Sequence, residues 1–242
     1  MRLHGLSLVR RSGPGVASSG RFASWPLIWG CRLRSITRSI LLAALFALGA
    51  RPALAGPLPG GNSDIPNHVN LVGLGPAGPD SAMGQMICTI RDLTNIPVPG
   101  SVVTVDFTDC TDLAIASDQH DPRVFVNCGP RTVSAVTGVN GQARFTLIGT
   151  GTPGPAHASH SLRIYADGVL MGSLGVGVFE RDGVGGLTLA DLAYWAQDYF
   201  SGVYRERADL DGIANVSLLD LSWWSTAYFN GNNVIPAGPY CP

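Results

Sequence analysis

The chain reads as a mainly β protein: an antiparallel β-sandwich followed by a small α-helical domain. Three observations predict this. Between Asn67 and Phe179 the apolar residues alternate with period two in short runs broken by turn residues. Glycine and proline together make up about a fifth of the chain, with 31 Gly and 17 Pro. The last sixty residues change character, to acidic Gly-containing loops that each lead into a helical pattern.

Composition narrows the classes further. The chain has 242 residues, 45% of them hydrophobic and only 14% charged, with a formal net charge of -1. That balance hides a division. All 16 cations are Arg; eight of them precede residue 56, and all 17 acids follow it. Residues 56–242 therefore carry a net charge of -9, which argues against nucleic acid as a partner. The Gly and Pro show no collagen period, and no heptad pattern points to a coiled coil.

The basic segment reads as an export signal. Arg32, Arg34 and Arg38 precede the apolar run Ile40 to Ala50, and Arg51-Pro52-Ala53-Leu54-Ala55 supplies an A-x-A site. Eleven apolar residues are too short for a membrane span, which needs ~20. Cleavage after Ala55 is expected, giving residues 1–55 as signal and a secreted or cell-surface product with no membrane span. Residues 56–66 read as a linker. Of the five cysteines, Cys31 leaves with the signal, and Cys88, Cys110, Cys128 and Cys241 enter an oxidising compartment. Cys110 and Cys128 flank one polar loop and are the expected pair. Cys88 is either a buried thiol or a partner of Cys241.

Seven strands are expected over 67–179. The first is Val69 to Val72. Gln85 to Asp92 alternates, with Met86, Cys88 and Ile90 on one side, and Asn95 to Gly100 ends it with two prolines and a glycine. Ser101 to Phe107 follows. Arg131 to Thr137 and Gln142 to Ile148 flank Asn140-Gly141, a hairpin signal because both residues tolerate positive φ. Ser161 to Tyr165 and Val169 to Phe179 flank Asp167-Gly168, a second hairpin. The stretch Pro97-Val98-Pro99-Gly100 before a Val-rich strand, together with Thr137 to Phe145, resembles the bacterial Ig-like domains of invasin-type surface proteins. The resemblance implies an Ig-like fold over 67–179 and a spacer or display role without an active site.

Catalytic patterns are weak in this region. His157 and His160 form H-x-x-H, but Ala158 stands where a zinc protease needs Glu. Asp118-Gln119-His120-Asp121 reads as a solvated loop, and Asp106 with Asp109 as a strand edge. The absence of Lys removes phosphate cradles and Lys-based catalysis. No enzyme activity is expected.

The C-terminal region is a tandem repeat at an offset of 29 residues. Glu180 to Gly202 aligns without a gap on Asp209 to Gly231, with nine of 23 positions identical. About one or two identities are expected from average composition, so the match reports a duplicated structural unit. Each unit is a loop and then a helix. A twelve-residue calcium loop places oxygens at positions 1, 3, 5, 7, 9 and 12. With Asp191 and Asp220 at position 12, the first loop offers Glu180, Asp182, Thr188 and Asp191, plus the carbonyl of Gly186. The second offers Asp209, Asp211, Ser217 and Asp220, plus Asn215 at position 7. Residues 180–231 carry eight acids against three Arg, a crowd of carboxylates that repel one another without a cation.

The duplicated loop-helix resembles a dockerin module, with its two EF-hand-like units of this length and Asp at position 12. The resemblance implies two Ca2+ sites and a docking role toward a protein partner of the cohesin kind. Three departures qualify it. Position 5 is Val184 and Ile213, so one side-chain ligand is missing from each loop. Position 6 is Gly185 in the first loop but Ala214 in the second. Positions 10 and 11 are Leu189/Ala190 and Leu218/Leu219, unlike those of dockerins that dock on cellulosomal cohesins. Two weak sites follow, with affinity of about 10⁻⁴ M or poorer by analogy with extracellular calcium modules. Leu192, Trp195 and Tyr199 recur as Leu221, Trp224 and Tyr228, one helical stripe that suffices for a two-unit core. Tyr194 and Trp223 fall off the stripe. The tail, 232–242, is expected to hold Cys241 near the body. The function implied is a secreted, non-catalytic interaction or surface protein; the alternative is an accessory carbohydrate-binding component of an extracellular polysaccharide-degrading system.

Overall fold

The computed structural model describes residues 62–242, apart from 153, 185, 232, 236, 237 and 242. The expected signal at 1–55 and the first part of the expected linker lie outside the described residues. Before the first strand, Asp64 pairs with Thr89.

The chain is mainly β. Strands β1 (His68–Leu71), β5 (Val102–Asp106), β7 (Val124–Asn127), β8 (Thr132–Val136), β11 (Leu162–Ala166) and β12 (Val169–Val178) form a six-stranded sheet in the order β1-β12-β11-β5-β8-β7. Only β1 and β12 run parallel. A separate antiparallel pair joins β4 (Gln85–Thr89) to β9 (Gln142–Thr146). Two small pairs complete the strands: β2 (Leu74–Gly75) with β3 (Gly78–Pro79), and β6 (Leu113–Ile115) with β10 (Gly149–Gly151). A single helical turn, α1, covers Ser81–Gly84.

Period-two patterning does the folding work here. Val103 and Val105 of β5, Val133 and Ala135 of β8, and Ile164 of β11 are buried. Thr104, Ser134 and Tyr165, which alternate with them, face the other way. The β4–β9 pair sends Met86, Cys88, Ala143 and Phe145 into the same apolar cluster.

The two hairpin signals part company. Asp167 and Gly168 both have positive φ, 48° and 80°, and Ala166 pairs with Val169, so this turn joins β11 to β12 as expected. Asn140-Gly141 turns the chain between β8 and β9 but does not pair them as a hairpin. β8 is already hydrogen-bonded on both edges, to β5 and β7, and β9 crosses to β4. Gly141 serves close approach instead. A Cβ there would meet the Ile90 carbonyl at 2.7 Å and Pro97 Cβ at 2.9 Å.

The disulfide also differs from the expected pair. Cys128 bonds to Cys241, 113 residues away, while Cys88 and Cys110 are free and buried. Cys110 follows β5 in a turn, with its N–H bonded to the Phe107 carbonyl, and its side chain enters the main core. Cys128 directly follows the edge strand β7. The tail reaches it because Cys241 N–H bonds to the Ile115 carbonyl and Tyr240 bridges to Ala116.

The repeat forms α2 (Leu189–Phe200), a 3-10 turn (Glu206–Ala208) and α3 (Leu218–Phe229). It packs on the β unit through a second apolar cluster. Trp224, Ala227, Leu187 and Leu210 meet Val72 and Phe179 there, with Leu192, Trp223 and Tyr228 against it. The Trp195 indole N–H donates to the Ala208 carbonyl at 3.0 Å. Trp223 is therefore core-associated, and Tyr194 is exposed. No helix among the described residues is long and apolar enough to cross a membrane.

Candidate metal centre

Both loops are built by the same local device. Thr188 and Ser217 are extended N-cap residues whose hydroxyls accept from Ala190 and Leu219 N–H at 3.1 Å. The third helical residue, Asp191 or Asp220, reaches back to its cap and completes a capping box. Placing the acid at N3 buries it completely, at 0% exposure in both loops, and aims it at the loop's start.

There it closes the loop. Asp191 Oδ1 accepts from the N–H of Arg181 at 2.6 Å and Asp182 at 3.1 Å. Its Oδ2 accepts from Thr188 N at 2.6 Å and Thr188 Oγ1 at 3.0 Å. Asp220 repeats this with Leu210 N at 2.7 Å, Asp211 N at 3.1 Å and Ser217 N at 2.6 Å. The first-position acids, Glu180 and Asp209, are buried beside these closers, and the third-position acids, Asp182 and Asp211, are half-buried. Val184 N–H donates to Glu180 Oε1 and Asp182 Oδ1; Ile213 N–H donates to Asp211 Oδ1.

Two acidic triads result: Glu180, Asp182, Asp191 and Asp209, Asp211, Asp220. Within each, one oxygen from every residue lies within 4.8 Å of the others. A calcium ion with Ca–O distances of about 2.3–2.6 Å requires ligand oxygens no farther apart than ~5 Å. The donor set is all oxygen, which suits a hard cation, and either triad could hold one. The nearest Arg in the first loop does not neutralise the cluster, because Arg181 turns its guanidinium to Asp198 at 2.6 Å. The cost of this crowding shows in Glu180. Burial, helped by the neighbouring Asp182 and Asp191, pushes its carboxyl up to about 7. Asp211 is also raised, by burial and by Asp209, and its Oδ2 is buried without a hydrogen-bond partner.

The remaining expected ligands differ between loops. Thr188 and Ser217 stand beside their triads, bonded to the position-12 acid through side chain and backbone, or backbone alone. Gly186 adopts φ +83° and lies so close to the tail that a Cβ would meet Val234 at 2.6 Å. Asn215 is exposed and lines a surface cavity of about 270 Å³ with Tyr199, Tyr204 and Ala214. Ala214 takes the left-handed conformation, φ +59°. The second loop gains a partner that sequence spacing does not reveal: Tyr204 donates its hydroxyl to Asp209 Oδ2 at 2.7 Å.

The two loops have different neighbours. Leu187 N–H bonds to the Asn233 carbonyl, so the first loop leans on the tail. The second leans on β1: a Cβ at Gly212 would meet His68 at 2.7 Å, and Asn70 Nδ2 donates to the Leu210 carbonyl at 2.8 Å. Compared with protein-family models, with curated proteins and with solved structures, the chain matches none.

The outer faces of α2 and α3 carry no charge. Their acids, Asp191, Asp198 and Asp220, are all buried. Leu189 and Leu218, and Phe200 and Phe229, occupy equivalent repeat positions and are exposed, the phenylalanines at 81% and 82%.

Proposed function

We propose that this is a secreted, non-catalytic interaction or surface protein. In this reading an Ig-like sandwich serves as spacer or display unit, and the dockerin-like repeat, stapled by two Ca2+ ions, serves as the docking surface. The observation that carries it is the pair of acidic triads, each burying two carboxylates that, among the described residues, no Arg salt bridge reaches. Buried charge of one sign is costly unless something compensates it, and a divalent cation does so. The equivalent exposed residues Leu189/Leu218 and Phe200/Phe229 support a docking role. Their uncharged surroundings favour an apolar protein partner and account for positions 10 and 11 departing from cellulosomal dockerins. Export follows from the signal-like segment before residue 56.

The test is a thermal melt of the full chain, followed by Trp fluorescence, in millimolar calcium and in chelator. Saturation to about 100 times the dissociation constant should stabilise the fold by ~2.7 kcal/mol for each loop that binds. The shift should vanish in Asp182→Asn combined with Asp211→Asn. An unchanged midpoint at every calcium concentration would remove the metal from the proposal. A partner captured in calcium should be lost in Phe200→Ala with Phe229→Ala.

One observation favours the alternative, carbohydrate binding. Tyr165, Thr104, Ser134 and Phe125 lie opposite one another on four adjacent strands, on the sheet face away from the core. Thr104 and Ser134 share a hydroxyl hydrogen bond at 2.9 Å, and Phe125 is 63% exposed. Three strand spacings put the rings ~14 Å apart, flanking hydroxyls as a glycan-stacking face would. Glycan binding abolished by Phe125→Ala would favour this reading over protein docking.

A further inference from the structure

A chain of six charged side chains, none of them a candidate metal ligand, ties the repeat to the β unit. His157 follows β10, and its side chain is fully buried. Its Nδ1 lies 2.5 Å from Asp112 Oδ1 and its Nε2 lies 3.4 Å from Glu206 Oε1. Asp112 comes from the turn before β6, and Glu206 opens the 3-10 turn that leads into the second loop. Glu206 also accepts from Val176 N–H of β12 at 3.0 Å and from His160 N–H at 2.7 Å. Arg207 then links Asp112, at 3.1 Å, to Asp198 of α2, at 2.9 Å. Asp198 receives Arg181 of the first loop at 2.6 Å.

The chain Glu206–His157–Asp112–Arg207–Asp198–Arg181 holds three carboxylates and three basic side chains. Its charge balances only when His157 is protonated. Both imidazole nitrogens face a carboxylate, and only the imidazolium has an N–H for each. A neutral ring would aim a lone pair at one of them and leave a buried carboxylate uncompensated. The other titratable groups nearby are few. His160 Nδ1 lies 3.5 Å from Glu206 Oε2. His68 of β1 flanks Glu206 across Gly175, and Cys110 is held neutral, its thiol pushed up to about 12 by burial.

We propose that His157 is a proton-operated latch: its imidazolium fastens the Glu206–Arg207 turn, and with it the repeat, to the β unit, and loss of the proton releases that turn. The protonation energetics agree with this geometry. Burial alone would push the imidazole down, but the hydrogen bonds and charges of Asp112 and Glu206 outweigh it and hold it up at about 9. Asp112 and Glu206 are both lowered; burial opposes this, and their bonds to His157 prevail. A group raised in the closed state strengthens closure fully below its free value, 6.5 for the imidazole. That contribution declines as pH rises and is gone above about 9. One proton is involved, so opening rises at most about tenfold per pH unit, or ~300-fold across the window. The latch does not depend on the calcium reading.

The test uses a built-in reporter. The Trp195 indole N–H bonds to Ala208, the last residue of the latched turn. Its hydrogen exchange in the full chain is followed by 15N NMR from pH 6 to 9.5, for wild type and His157→Gln. Glu180 titrates in the same window in both proteins, so the ratio of their protection factors isolates His157. That ratio should fall about 80-fold between pH 6.5 and 9, out of a limiting total of ~300-fold. A ratio that stays constant overturns the latch. If His157→Gln does not fold, the wild-type ring resonance decides: a midpoint near 9 that coincides with the loss of Trp195 protection supports the latch, and a midpoint near 6.5 overturns it.

Discussion

Asp191→Ala should destabilise the protein with or without calcium, whereas Asp182→Asn should matter only when calcium is bound. Both residues belong to the same triad, but their bonds differ. Asp191 accepts four hydrogen bonds, from Arg181 N, Asp182 N and both donors of Thr188. Alanine removes them all and leaves three backbone N–H groups without their acceptor. A buried orphan costs ~1–3 kcal/mol, and water can reach the half-buried Asp182 and Thr188, which places those two at the low end. Relief of repulsion on Glu180 offsets part of this, leaving a net loss of ~3 kcal/mol. Among the described residues Asp182 accepts only from Val184 N–H, at 2.8 Å, and an Asn oxygen can keep that bond. Its cost in chelator should stay within ~0.5 kcal/mol, the usual range for a change near the surface. In calcium it should abolish the first loop's share of the stabilisation. Guanidinium unfolding of each variant in calcium and in chelator, read by Trp fluorescence, separates the two roles. In residues 56–242, without Trp25 and Trp29 of the expected signal, the three Trp (Trp195, Trp223 and Trp224) all lie in the repeat, so the signal is local. If Asp191→Ala loses less than ~1 kcal/mol in chelator, or if Asp182→Asn matches it there, the division into loop closer and ligand is wrong.

Four further outcomes follow from particular residues. Ala214→Gly should raise stability by ~0.5–1 kcal/mol, because Ala214 sits at φ +59° where an L side chain costs ~1–2 kcal/mol; a thermal melt in chelator reads it. Trp195→Phe should cost more than Trp224→Phe, by ~1 kcal/mol in urea unfolding, since Trp195 donates to Ala208 while the Trp224 indole N–H is buried without a partner. Cys128→Ser with Cys241→Ser opens a cross-link across 113 residues and should lose up to ~4–5 kcal/mol on the loop-entropy model. Cys88 and Cys110, their thiols both pushed up to about 12 by burial, should resist iodoacetamide at pH 8 until the fold is unfolded, as mass spectrometry would show.

What the sequence made legible was local. Alternation picked out seven strands within a residue or two at most ends, because a half-buried strand must alternate. It missed β2, β3, β6, β7 and β10, two to four residues each and too short for a pattern to register. The Asn140-Gly141 turn was visible, but its partner strand was not. A turn's chemistry permits reversal and does not say whether the preceding strand has a free edge. The cysteine pairing failed for a similar reason. Proximity in sequence favoured Cys110 with Cys128, while the tail's pairing along β6 brought Cys241 to Cys128. The loop acids were legible because a duplicated spacing is a strong signal. That the position-12 acid would also be the closing acceptor of each loop is implicit in the capping pattern, Thr188 or Ser217 followed at N3 by Asp.

The duplication also conceals a difference that only the packing reveals. At loop position 2, one copy has Arg181 and the other Leu210, aligned residues of opposite character. Arg181 reaches down to Asp198 and the ionic chain, whereas Leu210 enters the apolar cluster with Phe179 and Trp224. The two copies share a fold and both enter the apolar cluster, Leu187 from the first and Leu210 from the second, but at position 2 only the first adds an ionic attachment. Burial of Leu210 depends little on pH, whereas the ionic attachment requires every carboxylate to be charged and His157 to be protonated. The repeat should therefore loosen unevenly as solution conditions change, with the arm around Arg181, Asp198 and Arg207 yielding before the Leu210–Trp224 contact. A partner that needs the covered face of the repeat would meet the lower barrier on the side of the first loop.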